Sequence, residues 1–93
     1  MAIRQGANVA ELRGVAKQFD GKAGEIENIK NQLNALINSN IPENWDGQDA
    51  QKFKSDWAAQ GFKSLTTLIQ QLRDASRTMN TNAAAQEQVS SAL

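Results

Sequence analysis

Few residues in this chain have both the type and the spacing that chemistry needs. Glu43, Asp46 and Asp49 gather carboxylates over a short stretch. A calcium loop also needs oxygen ligands at alternating positions and a closing bidentate Glu, which are missing, so helix capping accounts for the cluster better. Trp57 and Phe62 could flank a ligand slot, but core packing, with one aromatic covering a partner interface, explains them more simply. Lys22 interrupts an otherwise apolar row. A lysine so placed more often runs its stem along apolar surface with its ammonium in water than acts as a catalytic amine, although a partner carboxylate could specify pairing there.

Missing residue types narrow the chemistry further. The chain contains neither His nor Cys, so its six Ser have no imidazole to activate them, and the usual zinc ligand sets, thiolate nucleophiles and disulfides are excluded. No Gly-rich phosphate cradle ending in Lys-Ser or Lys-Thr is present. We expect a non-enzyme with no catalytic residues, no metal and no cofactor. Ten Lys plus Arg balance ten Asp plus Glu, whereas a phosphate-gripping protein usually carries a basic excess, so nucleic acid is not an expected partner.

The elements that position these residues are helical. Leu12, Val15, Phe19, Lys22, Ile26, Ile29, Leu33 and Leu36 alternate at steps of three and four, the spacing of a heptad seam. A second row, Val9, Ala16, Ala23 and Ile37, widens the stripe to that of a bundle helix. Asn8 with Glu11 reads as a capping box, which predicts helix one over about 8–39. Pro42 breaks the pattern and biases Ile41 toward extended geometry, giving a turn over about 40–47. Asp46 and Asp49 then read as the cap of helix two, over about 48–80.

Helix two carries Ala50, Phe53, Trp57, Gly61, Leu65, Leu68, Leu72, Ala75 and Met79, flanked by Ala58, Phe62 and Ile69. Three consecutive steps of four between Phe53 and Leu65 form a stutter, which relaxes a left-handed supercoil locally. Residues 81–93 are mostly small and polar, and a frayed tail is expected.

The whole chain, 1–93, thus reads as one all-α domain, an antiparallel two-helix hairpin. Folding about residue 43 would pair Leu33 with Phe53, Ile29 with Trp57, Phe19 with Leu68 and Leu12 with Ala75, and would bring Gly24 near Gly61. Gly14, Gly21, Gly24 and Gly61 each cost about 1 kcal/mol of helix propensity, and a single hairpin covers only part of so wide a stripe. Dimerisation into a four-helix bundle is therefore expected, with a core of Leu12, Val15, Phe19, Ile26, Ile29, Leu33, Leu36, Phe53, Trp57, Leu65, Leu68 and Leu72. A solid hairpin leaves little volume for a small-molecule substrate. The amino end lacks the apolar stretch of a signal peptide, and nothing later approaches a membrane span.

Trp45-Asp46-Gly47 stands at the predicted turn. Its plain structural role is a Trp closing the bundle end over Ile37, Ile41 and Phe53, with Gly47 easing the start of the helix. With Asn8-Val9-Ala10-Glu11-Leu12 at the first helix start and Phe53 after the turn, the chain resembles, over essentially its whole length, the WXG family of ESAT-like proteins. These are small bacterial helical hairpins of type VII secretion. The resemblance implies Trp45 and Gly47 as the motif turn, pairing with itself or with a paralogous WXG-type protein, and recognition by a secretion ATPase through the tail of one subunit. It also implies folding in the cytoplasm and secretion without a cleaved signal, with membrane contact only through the machinery.

The tail departs from the family pattern. The family's export signal is a Tyr followed four residues later by an acid, and this chain has no Tyr. Either a degenerate signal uses Ala83, Glu87 and Val89, or a paired paralogue carries the signal; the second is favoured. The leading expectation is an exported, non-catalytic effector or adaptor. The alternative is an intracellular helical interaction module or bundle subunit. A membrane-active peptide is disfavoured by the absence of a Lys-rich polar face.

Overall fold

Helix α1 covers Ala7–Asn40 without a proline to interrupt it. The chain then turns, and α2 (Gln48–Asp56), a single π turn (Trp57–Gly61) and α3 (Phe62–Ala92) follow without a break. The computed structural model describes residues 7–92, with side chains over 9–89. The capping role of the Asn8 side chain falls outside the described side chains. Among the described residues there is no strand, and the fold is an all-α helical hairpin. No helix among them is long and apolar enough to cross a membrane.

Burial along α1 repeats every seven residues. Val9, Ala16, Ala23, Lys30 and Ile37 are buried and form an inner row. Leu12, Phe19, Ile26 and Leu33 form a half-buried middle row, and Val15, Lys22, Ile29 and Leu36 an exposed outer row. On α3 the same order holds, with Ile69, Ser76 and Ala83 buried, Leu65, Leu72 and Met79 half-buried, and Leu68 and Val89 exposed. Among residues up to Ala23 and from Gln71 onward the row that turns inward is mostly of small residues, whereas Lys30, Ile37 and Ile69 continue it with large ones. Ala16, Ala23 and Ala83 carry too little side chain to hold backbones apart, so close approach favours them at the contact and leaves the larger side chains at its edge.

Contacts divide the chain into two compact units. One comprises residues up to Ala23 together with those from Gln71 onward. There Ser76 Oγ donates 2.8 Å to the Ala16 carbonyl oxygen, and Arg13 forms an ion pair with Glu87. Helix α3 runs on to Ala92, where a frayed tail from residue 81 was expected. The Ala83–Ala85 run has the highest helix propensity, Ala83 has no exposed surface, and Glu87 is held by Arg13.

The other unit is Gly24–Gln70. Its core is Ile37, Ile41 and Ala50, with Leu33 and Trp57 packed against them. Its register differs from the expected one, since Asn34 meets Trp57 and Lys30 meets Thr66. The expected pairs were Leu33 with Phe53 and Ile29 with Trp57. The connection runs from Ile41 through Gly47, so its middle lies beyond residue 43, and the π turn adds a further residue to the second arm of the hairpin. Gly24 and Gly61 do not approach: a methyl on Gly24 would meet nothing within 4 Å.

Candidate protein interaction face

The turn is tied from both sides. Asn44 and Trp45 donate their backbone N–H groups to the Asn40 carbonyl at 2.8 and 2.9 Å, and Asn40 Nδ2 donates 2.7 Å to the Leu36 carbonyl. Lys54 Nζ reaches across to the Ile41 carbonyl at 3.0 Å. The Ile41–Pro42 bond is cis. Gly47 has φ 114° and ψ −179°, a region open to glycine and strained for any residue with a Cβ.

Asp46 does not cap α2 as expected. Its Oδ1 accepts the N–H of Gly47 itself at 2.8 Å, and Gly47 is the N-cap without a side-chain bond. Asp49 does lie in the first turn of α2, where the helix dipole favours a carboxylate. Near the helix end, the Asp56 carboxylate accepts from Lys52 at 2.7 Å. That hydrogen bond and its charge raise the Lys52 pKa above the ordinary value.

The role read for Trp45, closing over Ile37 and Ile41, falls to Trp57, which the sequence reading also placed in the core. Trp57, not Trp45, packs against Ile37, Ile41 and Ala50, and its Nε1–H donates 3.0 Å to Asn34 Oδ1. Trp45 remains 47% exposed, with its ring 5.8 Å from that of Phe53, itself 45% exposed. Trp45 sits in the chain reversal, where few neighbours exist to bury it; Trp57 sits one helical stretch later, facing α1.

Around Trp57 lies a cluster that sequence reading only partly identified. Trp57 and Phe62 meet edge to face with centroids 6.0 Å apart, so the rings themselves fill the space a ligand slot would need. Lys30, 8% exposed, places Nζ 4.6 Å from the Phe62 centroid and donates 3.2 Å to Thr66 Oγ1. A buried ammonium is thereby stabilised by a π face and a hydroxyl. Lys30 and Ser76 were not identified beforehand. Continuing the sevenfold spacing of Val9, Ala16 and Ala23 would have found Lys30, whose charge concealed it.

The outer rows form the candidate site. In the Gly24–Gln70 unit, Ile29 is 51% and Leu36 60% exposed, and Leu68 and Phe53 are exposed on the other helix. Antiparallel helices viewed from one end wind in opposite senses, so their outer rows turn to the same face of that unit. Large aliphatic and aromatic groups on one face mark a protein interaction surface. In the other unit Val15 and Val89 are the exposed large hydrophobics. Of the core residues expected from the sequence, Leu12, Phe19, Ile26, Leu33, Trp57, Leu65 and Leu72 are half-buried, and Val15, Ile29, Leu36, Phe53 and Leu68 are exposed. Of the tail residues, Ala83 faces inward, Glu87 is engaged by Arg13, and Val89 is exposed.

A family model described as WXG100, proteins of 100 residues with WXG, matches residues 6–90. No curated protein and no solved structure matches the chain.

Proposed function

Because the chain belongs to the WXG100 family, whose members are small helical proteins associated with type VII secretion, we propose that it is a non-catalytic protein exported by such a system as a folded dimer. The observation that carries this reading is the exposed apolar outer row, from Ile29 and Leu36 on α1 to Leu68 on α3. A second WXG-type hairpin laid on that face would complete a four-helix bundle and remove the row from water. Each large aliphatic group so covered contributes about 1 kcal/mol or more, depending on how much of it remained exposed.

Export recognition belongs, on this reading, to a secretion ATPase acting on the tail of a WXG-type protein. Ala83 is buried and Glu87 is held by Arg13. This disfavours a degenerate signal made of Ala83, Glu87 and Val89, so that the signal belongs to a WXG-type paralogue exported alongside the dimer. Secretion then requires no cleaved leader.

Immunoblotting of washed culture medium from cells with and without the secretion ATPase tests the proposal. The protein is expected in medium only when the ATPase is present. Retention in both strains would favour an intracellular bundle subunit instead.

A further inference from the structure

The π turn has a phase that can be read from burial. Extending the inner and middle rows of α3 backward through regular helix would place Gln51, Ser55 and Ala58 on the inward side, yet all three are exposed. The inward residues are instead Ala50, Lys54 and Trp57, each one position earlier. Phe53 and Leu68 show the same offset, being fifteen residues apart, two heptads plus one. One residue of regular helix is a rotation of about 100°, enough to carry a side chain from one face to another. The π turn absorbs that residue by widening, as the Phe62 N–H bonding to the Trp57 carbonyl shows.

We infer that the π turn Trp57–Gly61 is a one-residue insertion that keeps Phe53 in the outer row, so that Phe53 and the Trp45 ring packed on it form the tip of the face covered by a second copy of this chain. The inference rests on the reading of the outer row as a partner face. Two features favour a second copy as the occupant. The formal charge of the chain is zero, so two copies meet without net repulsion. A face built from antiparallel outer rows can also pair with itself about a two-fold axis. Without the π turn the stutter would rotate Phe53 and Trp45 away from Ile29 and Leu36, and the apolar face would stop short of the turn.

Sedimentation equilibrium of the full chain, with helicity followed by circular dichroism, tests this. Phe53→Ala is expected to weaken self-association by about tenfold, the order seen when a partner-facing aromatic is truncated. Deleting Ala59 converts the π turn to regular helix while leaving Phe53 and Leu68 two whole heptads apart, so self-association is expected to persist, and so is its sensitivity to Phe53→Ala. Inserting one alanine after Ala59 adds a residue the turn cannot absorb, and there Phe53→Ala is expected to have no effect. Ile29→Asp is the control for the partner face and is expected to yield single hairpins.

If Phe53→Ala leaves association unchanged while Ile29→Asp abolishes it, the inference about the tip is overturned and the partner face stands. If both are silent, or if the unmodified chain is monomeric, the homotypic face itself is overturned. Loss of association on deleting Ala59 with helicity retained contradicts the insertion. That arm decides the matter even if the alanine insertion fails to fold.

Discussion

The indole of Trp57 lies over Gly61, so close that a methyl group at residue 61 would stand 2.7 Å from Cε3. The ring cannot easily yield, because its Nε1–H is bonded to Asn34 and its edge contacts Phe62. Gly61→Ala gains about 1 kcal/mol of helix propensity but must displace an anchored indole, and such overpacking costs about 1–3 kcal/mol. A net loss is expected in chemical denaturation, together with a shifted Trp57 indole N–H resonance. Where Ala59 is deleted, the sign should reverse, since Phe62 then occupies the position four residues after Trp57.

Gly47 is required for a different reason. Its φ of 114° with ψ near 180° is strained for any L side chain, although nothing would crowd a Cβ there. Gly47→Ala is expected to cost about 1–3 kcal/mol in thermal or urea unfolding, from backbone strain alone. Gly14→Ala, in a regular helix with open space, should instead stabilise by up to about 1 kcal/mol.

Lys30 is buried, with its ammonium set against the Phe62 ring and the Thr66 hydroxyl. Methionine matches its unbranched stem without the desolvated ammonium, so Lys30→Met is expected to be neutral or stabilising by about 1 kcal/mol. Lys30→Glu turns a negative group toward the negative ring face and is expected to cost about 3 kcal/mol or more. Denaturant midpoints of the two variants check both signs.

The pH dependence follows from composition and one shifted group. With no His, no side chain has an ordinary pKa between about 5.5 and 8, so stability is expected to stay flat across that window. Lys52 is raised above 10.5 in the folded chain by Asp56. Because the folded value exceeds the unfolded one, its contribution is present in full below the unfolded pKa and is lost as pH rises through the folded one. Lys52→Gln should flatten that alkaline decline; the exposure of the pair to solvent makes the effect small.

Much of this arrangement was legible in the residues. The heptad steps from Leu12 to Leu36 located α1, and Pro42 with Gly47 located the reversal. What periodicity did not show was which row of the stripe turns inward. Hydrophobic scales favour Leu12, Phe19 and Ile29, whereas helix contact selects Ala16, Ala23 and Ala83 for their small size. Register depends on the middle of the connection and on how the stutter is absorbed, and neither is set by apolar spacing alone. The three steps of four from Phe53 did mark the π turn, but a stutter can be met by local straightening as well as by widening. Trp45 and Trp57 carry the same side chain, and only the three-dimensional position of the turn distinguishes the exposed ring from the packed one.

The claim on which the rest depends is that the outer row, from Ile29 and Leu36 to Leu68, is covered by another hairpin in solution. Sedimentation equilibrium of the purified chain at micromolar concentration measures this directly, with Leu36→Asp as its counterpart. The expected result is twice the 10.1 kDa chain mass for the unmodified protein and a single chain mass for the variant. A cooperatively melting single hairpin in both samples would contradict the account.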